Sequence, residues 1–177
     1  MRCLSMGAII FLAGYVLSAG RATAGTPSVG DALRPVGERA AALLAHGNGE
    51  STTFRQLVTR LETSDLIIYI TIDPFWEGPF RGTLRFVTES GGRRYVRISL
   101  DARDTNTRLI PWLGHELQHA VEIAEHADIT SPESLAKHFA VNETSGPRGA
   151  YESVAARDVQ ARIAVELCRR PILIGPP

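Results

Sequence analysis

One pentapeptide constrains the local fold of this chain more than any other segment. It is His115-Glu116-Leu117-Gln118-His119, an H-E-x-x-H motif whose apolar neighbours recur with helical spacing. On a helix, residues i and i+4 lie on one face, so the two imidazoles can reach a single metal ion while Glu116 lies beside it. The motif therefore predicts a helix that presents the two ligands and the base of a zinc hydrolase.

The predicted motif helix runs from about Arg108 to His126. Its apolar stripe would consist of Leu113, Leu117, Ala120, Val121 and Ala124. Its polar band, on the opposite side, would hold His115, His119, Glu122 and His126. A solvated helix face has the same composition, so a surface helix without a metal remains an alternative.

The segments before this helix predict a small sheet preceded by helices. Strands are expected over Leu66–Ile72, Gly82–Thr88 and Arg94–Leu100, and Gly91-Gly92 predicts a hairpin between the last two. We expect a three-stranded antiparallel sheet. A helix interrupted near Pro35 is predicted over residues 28–47, and a capping box at Thr53 predicts another, ending near Thr63.

The last periodic segment predicts a helix over Ala150–Leu167 that carries a misplaced charge. Glu152 would lie on the same face as Ala155, Ala156, Val159, Ile163 and Leu167, the face expected to contact the core. Burying an ionised carboxylate costs several kcal/mol unless a cation accompanies it. A zinc ion held by His115 and His119 would supply that cation.

These features together resemble the gluzincin class of zinc metallopeptidases, particularly its minimal single-domain members. The resemblance covers about Leu66–Leu167 and implies an α+β fold, with the sheet packed against the H-E-x-x-H helix and a C-terminal helix bearing Glu152. It also implies one Zn²⁺ per chain bound by His115, His119 and Glu152. The chain departs from the thermolysin pattern because Ala156, not Asp, stands four residues after Glu152. The residues that orient the histidines are therefore not identified.

Three other carboxylates are alternatives for the third ligand. In the metzincin pattern a glycine and a final histidine would stand where this chain has Glu122 and Glu125, so the helix is expected to continue and Glu125 to point away. Glu122 shares the histidine face, but a third ligand on the same helix would strain a tetrahedral site. Glu143, in a Gly/Pro-containing loop, could also reach the metal.

The expected reaction is hydrolysis of a peptide bond in a peptide or protein substrate. Zinc would activate a water, and Glu116 would act as the general base. The resemblance also implies a histidine or tyrosine that stabilises the oxyanion, for which Tyr151, His126 and His138 are candidates. The alternative is an exported zinc-binding domain with little or no turnover, acting as a binding or assembly protein.

The N-terminus predicts export. Arg2, an apolar run over Gly7–Ala19 and the sequence Ala22-Thr23-Ala24 are typical of a signal peptide at residues 1–24, cleaved after Ala24. The run is shorter than the roughly 20 residues of a bilayer span, so the mature chain should not insert stably into a membrane. A periplasmic or extracellular location is expected.

The remaining chain suits one compact domain, with an N-terminal helical segment at 25–65 and a zincin-like region at 66–170. The full sequence has 19 basic and 19 acidic residues, and loss of Arg2 and Arg21 with the signal peptide would give the mature chain a net charge near −2. This balance excludes the basic footprint of a nucleic-acid-binding protein. Only Cys168 would remain, so no internal disulfide can form.

Overall fold

A computed structural model describes residues 32–142, 144–145 and 151–169. The predicted signal peptide and Glu143 lie outside these residues, and so does the side chain of Tyr151. In chain order, the elements of the described residues are β1 (Leu33–Pro35), α1 (Glu38–Glu50), α2 (Thr52–Glu62), β2 (Leu66–Asp73), β3 (Gly82–Ser90), β4 (Arg93–Asp101), α3 (Asn106–Glu125), α4 (Pro132–Asn142), β5 (Thr144–Ser145), β6 (Tyr151–Glu152) and α5 (Val154–Cys168).

The α+β class is confirmed, but the predicted three-stranded antiparallel sheet is wrong. The main sheet has four strands in the order β1-β2-β4-β3, and only β3 and β4 pair antiparallel. Strand β2 pairs parallel with both β1 and β4. The loop 74–81 is too long to act as a tight turn, so β2 is free to join the far side of β4 instead of pairing with β3.

The β3–β4 hairpin forms as its glycines predict. Gly91 and Gly92 make a two-residue connection with φ values of 59° and 71°, a backbone region that side chains other than glycine rarely adopt. The hairpin leaves β3 at one edge of the sheet and β1 at the other.

Strand β1 was not predicted, because its residues fall inside the helix expected over residues 28–47. Its backbone is bound to β2 through hydrogen bonds from Ile68 N to Ala32 O and from Val36 N to Ile70 O. Pro35 has no N–H to donate, which an edge strand tolerates. The helical part of this segment begins only at Glu38.

Helix α3 carries the H-E-x-x-H motif and contacts all three long strands. Its bounds are within two residues of the prediction. Leu109, Leu113 and Leu117 are fully buried against sheet residues such as Ile68, Ile98 and Leu100. Helices α1, α2 and α5 pack on α3 as well. The motif is therefore held between the sheet and a helical layer.

A buried arginine closes the C-terminal end of α3. Arg94 of β4 donates from Nη1 to the carbonyl oxygens of Ile123, His126 and Ile129, at 2.9, 2.7 and 3.1 Å. Asp65 accepts two further hydrogen bonds from the same guanidinium. Backbone N–H groups also donate to two of these carbonyls, from His126 to Ile123 and from Ile129 to His126. Arg94 adds a charged donor to all three and opposes the helix dipole.

The position predicted for Glu152 on a helix is also wrong. Helix α5 begins at Val154, and its N-cap is Ser153, whose Oγ accepts a hydrogen bond from Ala156 N at 2.9 Å. Glu152 belongs to the two-residue strand β6, which pairs with β5. Within the described residues, none of the helices is both long enough and apolar enough to cross a bilayer.

Candidate metal centre

The two motif histidines face each other on the buried side of α3. The exposed fraction is 4% for His115 and 5% for His119, and their Nε2 atoms are 3.2 Å apart. Two ligands held about 2.1 Å from one ion in tetrahedral geometry are separated by about 3.4 Å. The distance between the two nitrogen atoms is therefore close to that of a ligand pair.

Each imidazole is fixed from behind by a hydrogen bond at Nδ1. Nδ1 of His115 lies 3.1 Å from Oε1 of Gln160 on α5, and Nδ1 of His119 lies 2.7 Å from Oε2 of Glu122. Both acceptors favour a proton on Nδ1, which leaves Nε2 as the atom able to bind a metal. The rings are also packed between aromatic side chains, since Trp112 contacts His115 and Phe139 contacts His119.

The protonation of His115 suits metal binding. Burial, and then the neighbouring His119, lower the pKa of His115 to about 4, so its ring is neutral at pH 7. With its proton on Nδ1, His115 directs a lone pair at the Nε2 atom of His119. The space between the two Nε2 atoms therefore suits a shared cation, either a proton or a metal ion.

Glu152 brings a carboxylate to the same place. Its Oε1 lies 3.6 Å from Nε2 of His115, is buried, and has no hydrogen-bond partner among the described residues. A buried carboxylate oxygen without a donor is unfavourable unless a cation reaches it. Two imidazole nitrogens and one carboxylate oxygen are a donor set that zinc accepts.

Glu122 positions His119 and is itself positioned by Ser153. Its Oε1 accepts a hydrogen bond from the Ser153 hydroxyl at 2.7 Å and a weaker one from Gln118 at 3.4 Å. Burial opposes ionisation of Glu122, but the hydrogen bond from His119 and those from Ser153 and Gln118 outweigh it and lower its pKa. The same serine caps α5 and anchors Glu122, which ties the start of that helix to the metal centre.

Glu116 lies beside the histidines in a site with little room. Burial raises its pKa to about 7, with a smaller opposing effect from His119. A Cβ atom at Gly82 on β3 would lie 2.8 Å from its Oε1 and 3.0 Å from its Cγ. A side chain at position 82 would therefore require the Glu116 side chain to shift.

A cavity of about 250 Å³ opens onto these side chains. Strand β3 supplies one wall, and α4 supplies the other through Leu135 and Phe139. His115, Glu116, His119 and Glu152 all line it. Its remaining lining is formed by Phe80, Gly82, Thr83, Leu84, Arg85 and Trp112.

Two of the predicted oxyanion stabilisers lie elsewhere. His126 follows the last residue of α3 and is exposed, and its ring contacts that of His138 with centroids 4.2 Å apart and the planes tilted by 50°. Neither belongs to the lining of the cavity as far as the chain is described. Tyr151 precedes Glu152 in β6, and its side chain is outside the described part of the chain.

As the side chains are placed, no group of three or more His, Cys, Asp or Glu residues among the described residues could hold a metal ion. The pairs His115–His119 and His115–Glu152 have suitable distances, so binding an ion would include some adjustment of these side chains. No protein-family model, curated protein or solved structure matches this chain.

Sequence reasoning missed Gln160, Ser153 and Gly82. Gln160 and Ser153 belong to α5 and its cap, and only the packing of α5 on α3 brings them to the histidines. Serine is a preferred N-cap residue, so Ser153 indicates the observed start of α5 at Val154. Gly82 opens a strand, and a sequence gives no sign of which side chain will approach it.

Proposed function

We propose that this chain is a zinc-dependent peptidase in which His115, His119 and Glu152 bind the metal and Glu116 is the general base. The observation that carries the proposal is the pair of facing Nε2 atoms, 3.2 Å apart, with the buried and unpartnered Oε1 of Glu152 beside them. Three protein ligands leave the fourth position that a hydrolytic site requires. The same donor set also suits Fe²⁺, so metal analysis must include iron.

When bound, Zn²⁺ would lower the pKa of a water towards about 7 and polarise the substrate carbonyl. Glu116 would accept a proton from the attacking water and deliver it to the leaving nitrogen. Its raised pKa, about 7 without a metal, would fall with a dication nearby, which favours the ionised form that a base needs. Trp112 and Phe139 line the cavity and would exclude bulk water from the reacting groups.

A peptide is the substrate that suits this cleft best. Strand β3 is an edge strand of the described sheet and forms a wall of the cavity. An extended peptide can pair with such an edge through its main chain, which places its carbonyl groups in a row beside the metal centre. The apolar side chains of Leu135 and Phe139 on α4 would contact its side chains.

We place this activity outside the cytoplasm, on the basis of the signal peptide at residues 1–24. Mass spectrometry of the exported protein should give a chain beginning at Gly25. A cytoplasmic product that retains Met1 would contradict this location without bearing on the metal centre.

The decisive experiment combines metal content with peptide cleavage. The purified protein should contain about one zinc per chain, reduced strongly in His115→Ala and in Glu152→Ala. His46→Ala is the matched control, because His46 is exposed on α1. Glu116→Gln should keep the zinc and lose at least about 100-fold in cleavage rate. Absence of metal from the parent protein, or full cleavage by Glu116→Gln, would contradict the proposal.

A further inference from the structure

Two arginines lie directly opposite each other on the face of the sheet turned away from α3. Arg85 of β3 is the cross-strand neighbour of Arg97 of β4, and both are exposed. Side chains in this relation have Cβ atoms about 5 Å apart, where like charges destabilise the pair. Neither guanidinium makes a hydrogen bond or an ion pair with any residue in the described part of the chain. The pair therefore favours an anion as its partner.

Arg85 also borders the candidate metal centre. It lines both the cavity of the centre and a groove of about 610 Å³ on the outer face of the sheet, and Phe80, Gly82 and Thr83 are common to the two linings. Gly82 approaches Glu116, and Arg85 is three residues further along the same strand. That separation is about 10 Å in an extended chain.

The charges along the groove are asymmetric. Along the strands, Arg85 and Arg97 lie to one side of the position of Gly82. Asp73 of β2 pairs with Asp101 of β4 and lies to the other side. Asp73 and Glu77 both line the groove. An acidic group would therefore be attracted to the arginine end and repelled from the other. The hydroxyl group of Thr83, whose cross-strand neighbour is Ser99, adds a donor near the arginines.

We propose that Arg85 and Arg97 form a subsite for an acidic residue of the peptide substrate, about three residues from the bond that is cut. This inference rests on the proposed peptidase function. An extended peptide paired with the free edge of β3 places every second side chain on the outer face of the sheet. A carboxylate on that face would neutralise the two guanidinium groups, and arginine suits a planar carboxylate because it can donate two parallel hydrogen bonds.

The test measures binding separately from cleavage. Two pools of short fluorescein-labelled peptides are made from Ala, Ser, Leu and Phe, one with a Glu and the other with a Gln at a varied position. Their affinity for zinc-loaded Glu116→Gln protein is measured by fluorescence anisotropy at low salt. We expect the Glu pool to bind about tenfold more tightly. The preference should disappear when Arg85→Gln and Arg97→Gln are added and should weaken in high salt.

Arg162→Gln is the matched control, since it removes one exposed positive charge from α5 on the other side of the helical layer. It should keep the preference for Glu, and thermal unfolding should be unchanged in all variants. Two outcomes would overturn the proposal. One is equal binding of the two pools to the Glu116→Gln protein, and the other is an equal loss of affinity for both pools when Arg85→Gln and Arg97→Gln are added.

The two proposals fail separately. If Glu-containing peptides bind with this preference but the parent cuts none of them, the peptidase proposal fails and the acidic subsite stands. If the parent cuts both pools equally and binds them equally, the subsite fails and the peptidase stands. Sequencing of the products locates the cut bond, and the acidic residue should lie consistently on one side of it.

Discussion

Oε2 of Glu122 lies 2.7 Å from Nδ1 of His119, one turn earlier on the same helix. Glu122 is one of the alternative third ligands, but this contact suits it better to orienting His119. In the proposed zinc site, Glu122 would take the orienting role left open by Ala156, although it reaches the histidine from α3 and not from the last helix. Carboxylate groups that bind the far nitrogen of a metal-binding histidine fix its tautomer and make it a better ligand.

Glu122→Ala should therefore weaken zinc binding by about 10- to 100-fold. Glu122→Gln keeps an acceptor for Nδ1 of His119, so its zinc affinity should lie between those of the parent and Glu122→Ala. Chelator competition titrations measure the affinity, and Gln118→Ala is the comparison because its contact with Glu122 is weaker, at 3.4 Å. An unchanged zinc affinity in Glu122→Ala would contradict this role.

Gly82→Ala should reduce cleavage without removing the metal. The added Cβ would meet Oε1 and Cγ of Glu116 at 2.8 and 3.0 Å, so the carboxylate must move. Misplacement of a reacting group by about 1 Å can cost about 100-fold in rate. Gly49→Ala is the matched control, since a Cβ there meets nothing within 4 Å. Full activity in Gly82→Ala would show that Glu116 does not need its present position.

Arg94→Ala should lower the free energy of unfolding by about 3 kcal/mol, because three carbonyl groups at and beyond the end of α3 would lose a charged donor and Asp65 would lose its partner. Arg94→Lys should recover only part of this, since an ammonium group cannot reproduce the contacts of a guanidinium fork. Urea denaturation measures both variants. A loss below about 1 kcal/mol in Arg94→Ala would contradict the proposed cap.

Asp101 should make the fold sensitive to acid. Hydrogen bonds from Arg103, together with those from the Arg103 backbone and from Arg81, outweigh burial and hold the pKa of Asp101 well below its ordinary value of 3.8. Its folded-state pKa is depressed, so its contribution to stability is present above pH 4 and is lost as the pH falls through the folded-state value. Urea denaturation between about pH 5 and 2 should show a smaller loss of stability in Asp101→Asn than in the parent.

The sequence predicts the parts of this fold that depend on local pattern. The long strands, the β3–β4 hairpin and α3 follow from apolar period and from Gly91-Gly92. Strand β1 does not, because a three-residue strand ending in Pro35 has no periodicity and exists only through its pairing with β2. The parallel pairing of β2 with β4 also depends on distant residues.

Glu152 illustrates how a site residue can be named for an incorrect reason. It was selected as a carboxylate on the apolar face of a helix, whereas it precedes that helix in β6. Its approach to His115 results from the docking of α5 on α3 and from the Ser153 cap, which fixes where the helix begins. A contact of this kind depends on how two elements pack against each other. The apolar periodicity of neither α3 nor α5 predicts it.

The central claim is that one zinc ion lies between the facing histidines and Glu152. X-ray absorption at the zinc edge, measured on the purified protein, tests it most directly. The account predicts two imidazole nitrogens at about 2.0–2.1 Å with carboxylate or water oxygens at about 2.0–2.2 Å, and loss of this signal in His119→Ala. A parent protein with no zinc signal, or one whose signal is the same in His119→Ala, would contradict it.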